Sequence, residues 1–207
     1  IYFSASNLDL DQSYIEKNHN FFQFPLDFQA NSVLEYLITD FGVVMELNTR
    51  IAKQLHDEHI AVIALMDKLE EFVGKDQPDA TDSQVSNFLG DLKVVIEGEV
   101  TNHFKFEEDD LFPVLNNEGN GDMSELLSEE HDVILPLGLE LVAAIKVVRS
   151  DGFTTDSWQN FKQYGAEFSD RLRDHASKEE MGLVPLIDDL LEADADAELA
   201  AEYIDNR

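Results

Sequence analysis

The sequence predicts an all-α protein built as an antiparallel up-down four-helix bundle, with an N-terminal arm and a short C-terminal helix. Apolar residues recur at helical spacing in four segments of about 25 residues or more. The loops between these segments are short, and short connections place consecutive helices side by side in opposite directions. No segment alternates steadily between apolar and polar residues, and no hairpin dipeptide joins two such segments, so strands are not expected.

The N-terminal arm is predicted over residues 1–43, with an aromatic cluster at residues 21–28 and a short helix at Ser32–Asp40. The bundle is predicted over residues 44–190, and residues 191–207 are expected to form an acidic C-terminal helix or tail. The first bundle helix is predicted at Val44–Val73 because its apolar residues share one stripe. The members of that stripe are Leu47, Ile51, Leu55, His59, Val62, Met66 and Leu69.

Caps and helix breakers predict the remaining helix ends. Proline costs a regular helix one hydrogen bond, so the second helix is expected to end before Pro113. Ser124 is a suitable N-terminal cap for the third helix, and Thr155 or Asp156 for the fourth. These signals predict helices at Gln84–Leu111, Ser124–Val148, Thr155–Leu183 and Pro185–Tyr203.

The composition excludes several classes of partner and site. The chain has 44 acidic and 14 basic side chains and a formal charge of −30, so neither nucleic acid nor a membrane surface is an expected partner. Such acidity is typical of a well-solvated surface, or of adaptation to high salt, where ions screen the repulsion. Cysteine is absent, so any metal must be held by nitrogen and oxygen. No apolar run is long enough to cross a bilayer and no signal-peptide pattern opens the chain, so a cytoplasmic location is expected.

A repeat at an offset of 72 residues carries most of the histidines (131 − 59 = 72). The first and third helices share a Glu-His pair, and the second and fourth share His-x-x-x-Glu followed by Leu-x-Pro. Four of the six histidines therefore lie at matched positions, which isolated, packed core histidines would not produce. Each half of the repeat is one helical hairpin. The matched polar residues are His59, His103, Glu107, His131, His175 and Glu179.

These six residues are the candidate metal ligands. Residues four apart differ by about 40° around a helix, so His103 and Glu107 can both point into the bundle. Glu108 and Glu180 are turned about 140° away from the histidine by the same geometry, and are expected to be solvated or interhelical. Imidazoles serve as terminal ligands, whereas a carboxylate has two oxygens and can bridge two cations. Six pseudo-symmetric donors predict two metal ions rather than a single zinc ion, and iron, manganese and zinc are all compatible.

Further residues near the ligands are candidates for supporting roles. His56 lies about one turn before His59 and could be a seventh ligand or a hydrogen-bond partner, although its repeat mate is Ser128. Glu99 and Arg171 are repeat mates, each four residues before a ligand histidine. They are expected either to form an ion pair at one end of the site, as a path for protons or iron, or to lie exposed at the helix edges.

The Glu-His pairs and the motifs HFKFEEDDLFP and HASKEEMGLVP resemble the hemerythrin-like, or HHE cation-binding, family over about residues 44–190. The resemblance implies two iron ions bridged by oxide or hydroxide and held by the six residues above. The spacing is most similar to the di-iron domain of repair-of-iron-centres proteins, in which acidic residues near the metals correspond to Glu99 and Glu130. Those proteins usually carry a Cys-containing N-terminal domain, whereas this chain has no cysteine. The fifth histidine of oxygen-carrying hemerythrins corresponds to Leu135, which implies a coordination position that is open or filled by solvent.

Functions of different classes fit this pattern. The first is a binding or sensing protein that meets O2, NO or peroxide, or that stores and donates iron. The alternative is a di-iron enzyme, such as an O2-activating oxidase or oxygenase, a peroxidase or an NO reductase. A structural bundle with vestigial ligands would bind no metal. Sensing would require another protein for its output, so a protein partner or a homodimer is left open, and no nucleotide loop, catalytic triad or flavin motif narrows the choice.

Overall fold

The computed structural model of the chain describes residues 46–205. Within that range the chain forms five helices and no strand. The predicted arm over residues 1–43, with its aromatic cluster and short helix, lies outside the described residues. The helices, numbered in chain order, are α1 (Arg50–Val73), α2 (residues 83–117), α3 (Gly121–Asp151), α4 (residues 155–190) and α5 (Ala193–Asp205).

Three π-helical turns interrupt the regular winding of α2 and α4. In α2 they span Val95–Val100 and Glu107–Leu111, and in α4 the turn spans Glu179–Leu183. The last two are related by the 72-residue repeat (179 − 107 = 72), so the repeat includes a local backbone distortion as well as side chains. Single π turns of this kind occur often at functional sites.

The helix α2 continues past Pro113, which was expected to end it, and α4 continues past Pro185, which was expected to begin the last helix; that helix begins instead at Ala193. After each π turn a new α-helical segment begins, and Pro113 and Pro185 lie in its first turn. A proline is tolerated there because the N–H groups of a first helical turn have no regular partner. The predicted ends at Leu111 and Leu183 are therefore wrong, since the helical runs extend to Asn117 and Leu190.

Contacts near the helix ends show that consecutive helices run antiparallel. The ring of Phe72, at the end of α1, lies 4.9 Å from that of Phe88, near the start of α2. Ser124, near the start of α3, donates a hydrogen bond at 2.6 Å to Asn116, at the end of α2. Ser124 is thus a buried interhelical contact and not the predicted cap, because α3 already begins at Gly121. The cap of α4 is also one residue earlier than predicted, at Thr154, which forms a capping box with Ser157.

Two glycines allow the helices to approach closely around the core. A Cβ at Gly138 of α3 would lie 2.8 Å from the ring of Phe168 in α4 and 3.0 Å from Ile96 in α2. A Cβ at Gly165 of α4 would lie 2.9 Å from Val73 in α1. Side chains of neighbouring helices therefore occupy the space that a Cβ atom would take at each glycine, and α4 packs closely against both α3 and α1.

The start of α1 is capped by residues from the far end of the chain. The Oδ1 atom of Asp188, in α4, accepts hydrogen bonds from the backbone N–H groups of residues 48 and 49, at 2.8 and 2.7 Å. The Oδ1 atom of Asp196, in α5, accepts from those of residues 50 and 51, at 2.8 and 2.9 Å. These carboxylates satisfy N–H groups that have no partner within the helix, and the bonds to Asp196 attach α5 to the start of α1. Over residues 46–205, no helix is both long and apolar enough to cross a membrane.

Candidate metal centre

The six predicted ligands meet inside the bundle. The helix α1 provides one histidine, α2 a histidine and a glutamate, α3 one histidine, and α4 a histidine and a glutamate. All six side chains are buried, with at most 8% of the surface of any of these residues exposed. They are His59, His103, Glu107, His131, His175 and Glu179.

The four histidines form two pairs. In one pair, here called position A, the Nε2 atoms of His59 and His103 lie 3.2 Å apart. In the other, position B, the Nε2 atoms of His131 and His175 lie 3.0 Å apart. Each pair comes from one hairpin of the sequence repeat, so each repeat unit contributes one position.

The two glutamates connect the positions. Glu107 places Oε1 3.2 Å from the Nε2 atom of His103 and Oε2 3.3 Å from that of His131. Glu179 places Oε2 3.1 Å from the Nε2 atom of His59 and Oε1 3.1 Å from that of His175. Each carboxylate therefore directs one oxygen to each position. The result is two four-residue clusters, each able to hold a metal ion, which share both glutamates.

The carboxylate oxygens of this centre are suited to binding a cation. All four oxygens of Glu107 and Glu179 are buried, and in the described part of the chain none of them has a well-formed hydrogen bond, although histidine Nε2 atoms lie 3.1–3.3 Å away. Removing a carboxylate from water costs several kcal/mol unless it is paired or coordinates a metal. Four imidazole nitrogens and four carboxylate oxygens, with no thiolate, form a donor set suited to iron, manganese or zinc. The residues present thus fit a pair of metal ions.

Comparison with known families agrees with this geometry. The family model of the hemerythrin HHE cation-binding domain matches residues 50–187, about two thirds of the chain. The chain belongs to this family. A comparison with curated proteins finds no match. The matched range contains all of α1, α2 and α3 and nearly all of α4, so the predicted fold class and family resemblance are confirmed. The closer resemblance to repair-of-iron-centres proteins stays a prediction.

In this hemerythrin-like domain, each of the four candidate ligand histidines also contacts a carboxylate through its second ring nitrogen. A carboxylate beside Nδ1 accepts a hydrogen bond from the Nδ1–H group, which leaves the Nε2 lone pair facing the centre and raises the basicity of the ring. The four contacts are 2.8–2.9 Å long and obey the 72-residue repeat. They join His103 to Glu58, His175 to Glu130, His59 to Glu180 and His131 to Glu108.

Three of these carboxylates were missed by sequence reasoning as partners of the histidines. Glu108 and Glu180 were expected to turn away from the ligands, but each lies in a π turn. Because a π turn holds more residues than an α turn, successive side chains diverge by less than in an α-helix, and both members of the Glu-Glu pair reach the site. Glu58 precedes a ligand as Glu130 does, so the repeat already contained the signal that would have identified it.

The other predicted supporting residues lie outside the two metal-binding clusters. His56 belongs to neither cluster; its Nδ1 atom lies 2.6 Å from Glu180, and about a quarter of its side chain is exposed. Glu99 is half-buried, in the first π turn of α2. Arg171 is exposed and pairs with Glu167 at 3.0 Å, one turn earlier on the same helix face. Of the two alternatives predicted for Arg171, the structure therefore has the exposed position at the helix edge and not the inward ion pair with Glu99.

The electrostatics of the centre favour positive charge. Burial lowers the pKa of His59, but the carboxylates of Glu179 and Glu180 outweigh it and raise that pKa to about 9. Burial likewise opposes the charge on His175, while Glu179 and Glu130 raise its pKa to about 9. The same carboxylates that attract protons to these rings attract metal cations. A metal must displace those protons, so binding should release protons to the solvent.

Proposed function

We propose that this hemerythrin-like domain is a non-haem di-iron protein that binds or reacts with O2, NO or peroxide, or that stores and donates iron. One ion would be held at position A and one at position B, with Glu107 and Glu179 shared between them. The observation that carries the proposal is the pair of clusters with two common glutamates, whose buried oxygens have no well-formed hydrogen bond among the described residues.

Two metals explain the donor set better than one. A single ion at either position would use two histidines and leave the other two, with their carboxylate partners, buried without a role. Two divalent ions bring four positive charges, which the two shared carboxylates only partly offset, leaving charge for a bridging hydroxide or oxide. Manganese or zinc would be accepted by the same nitrogen and oxygen donors, so metal supply decides between them and iron.

The protein residues supply four donor atoms at each position, which leaves coordination positions for solvent or a small ligand. Leu135 lies one turn after His131 and has no donor atom, so it adds nothing to position B. Iron would supply reversible one-electron chemistry and affinity for small oxidants. The protein holds each imidazole by its Nδ1 contact and excludes bulk water, because the whole ligand set is buried.

The incomplete ligand set also supports the alternative of a di-iron enzyme, since a substrate oxidant needs an open position. Optical titration of the reduced, iron-loaded protein with O2, NO and peroxide separates the two functions. A stable adduct that forms reversibly supports carriage or sensing. Rapid oxidation of the iron with repeated consumption of the oxidant and release of a product supports an enzyme.

The ligand assignment is tested by iron counting after anaerobic reconstitution and desalting. His131→Ala should retain one iron per chain or none, because it removes one of the two histidines of position B. Asp132→Ala is the control: it removes the exposed side chain next to His131, which lies outside both clusters, and should retain two. Full retention of two irons by His131→Ala would contradict the ligand assignment.

A further inference from the structure

The 72-residue repeat continues into α5. The helix α3 begins at Gly121 and α5 at Ala193, at the same offset (193 − 121 = 72). The segment LHDEH of α1 matches LSEEH of α3 and LAAEY of α5. The leucine and the glutamate recur in all three copies, but the position of His59 and His131 is taken by Tyr203 in α5. The C-terminal helix thus repeats a ligand-bearing motif with a phenol in place of an imidazole.

The phenol of Tyr203 reaches the surroundings of position A. Tyr203 is 2% exposed, and its hydroxyl donates a hydrogen bond at 2.5 Å to the Oε2 atom of Glu58. The same oxygen lies 2.8 Å from Nδ1 of His103, and the phenol oxygen itself lies 3.4 Å from that nitrogen. The other oxygen of Glu58 accepts a hydrogen bond from Gln54 at 2.6 Å. A carboxylate held from several sides holds the imidazole in one orientation.

Position B is supported differently. Glu130, the repeat mate of Glu58, contacts His175 through one oxygen and the ammonium group of Lys178 through the other. Glu130 and Lys178 are partly exposed, at 22% and 47% of their side chains, whereas Glu58 is only 3% exposed. A partly exposed ion pair orients its partner less strictly than buried hydrogen bonds do, because water and salt compete for it. The two positions have the same kinds of ligand, but the glutamates that orient their histidines have different hydrogen-bond partners and different exposure.

We propose that Tyr203 is a positioning residue for position A: it acts through Glu58 on His103, so that metal binding at position A depends on α5 and binding at position B does not. This inference rests on the proposed di-metal function. Asp196 supports it, because the same helix is attached to the start of α1 by hydrogen bonds that Asp196 accepts. The C-terminal helix is therefore part of the metal centre, although it provides none of the six ligands.

The test uses two backgrounds that each retain one intact pair of histidines. His175→Ala removes a ligand of position B, and His103→Ala removes one of position A. In each background the affinity for Zn(II) is measured by competition with a chromophoric chelator, with and without Tyr203→Phe. That substitution removes only the hydroxyl group and keeps the ring against Phe106, whose centroid lies 4.2 Å away.

We expect Tyr203→Phe to weaken Zn(II) binding about tenfold in the His175→Ala protein, which is the lower limit for the loss of an outer partner. It should leave the His103→Ala protein unchanged. Glu58→Gln should weaken binding in the same background by about 10- to 100-fold, which provides a second variant if the first one folds poorly. Tyr164→Phe is the matched control, since Tyr164 lies about three turns of α4 before His175 and should affect neither background.

An equal loss in both backgrounds would overturn the inference, because a general structural role of α5 affects both positions alike. No loss in the His175→Ala protein, or a gain there, would overturn it as well. The outcome is separable from that of the proposed function. If the unmutated chain binds no metal, the di-metal proposal fails, and the inference with it. If the unmutated chain binds two ions and neither responds to Tyr203→Phe, only the inference fails.

Discussion

The substitution Glu179→Gln should weaken both metal positions at once, unlike a histidine substitution, which should affect one. It removes one of the two shared carboxylates and reduces the negative charge between the positions from −2 to −1. Each cluster then has three strong donors instead of four. At a separation of about 4 Å and an effective dielectric constant of about 20, the interaction of two unit charges is about 4 kcal/mol. Both affinities should therefore fall by up to about a thousandfold.

This loss can be measured in two ways. Chelator competition with Zn(II) or Fe(II) gives the two affinities directly. The stabilisation of the fold by bound metal gives them indirectly, because a ligand at a thousand times its Kd adds about 4 kcal/mol to the free energy of unfolding. For a chain of this size that corresponds to a rise in Tm of about 10 °C, which Glu179→Gln should largely abolish. Binding of both ions with unchanged affinity, or the loss of one ion only, would refute the bridging role.

The matched control for this experiment is Glu129→Gln. Glu129 is exposed on α3, two residues before His131, and belongs to neither cluster. The substitution removes the same single charge from a chain of formal charge −30, so it isolates any effect of overall charge. Its metal affinities should equal those of the unmutated chain.

Two further predictions concern the stability of the bundle. Gly138→Ala should lower the free energy of unfolding by about 1–3 kcal/mol in a denaturant titration, because its Cβ would lie 2.8 Å from Phe168. Gly98→Ala is its control and should cause no loss, since nothing lies within 4 Å of that Cβ. Asp188→Ala should cost about 1–2 kcal/mol at pH 7 through the lost cap of α1. Burial raises the pKa of Asp188, but hydrogen bonds from Thr49 and the preceding residue outweigh it and lower that pKa. The cap therefore stabilises the fold fully above the ordinary aspartate pKa of about 3.9, and the difference between variant and parent should shrink below that pH and disappear once the pH falls below the lowered pKa of Asp188.

The sequence predicted the bundle well where its signals were local and repeated. Helical spacing and short loops indicate four antiparallel helices, and the structure has them. The predicted helix ends at Leu111 and Leu183 were wrong. A proline normally interrupts a helix, and nothing in the local sequence shows that a π turn lets a new α-helical segment begin with the proline in its first turn. The capping of α1 by Asp188 and Asp196 could not be predicted either, since it joins residues about 140 positions apart.

The metal centre was likewise predicted where its signals were repeated in the sequence and missed where they depended on the backbone. The repeat indicated the six residues that the structure places together, because matched histidines and glutamates at helical spacing are improbable by chance. The carboxylates behind the histidines were recognised only in part. Glu108 and Glu180 depend on the π turns, and an ideal helix turns them away. Tyr203 could in principle have been identified from the sequence, since the third copy of the motif occurs at the same offset. A tyrosine in a histidine position, however, does not resemble a metal ligand.

Under the proposed function, one chain holds two iron ions that share Glu107 and Glu179. The most direct test is elemental analysis combined with low-temperature Mössbauer spectroscopy of the anaerobically reconstituted and then oxidised protein. The expected result is two irons per chain, in a pair whose spins are coupled through their shared ligands. One iron per chain, or two irons with independent magnetic behaviour, would contradict it.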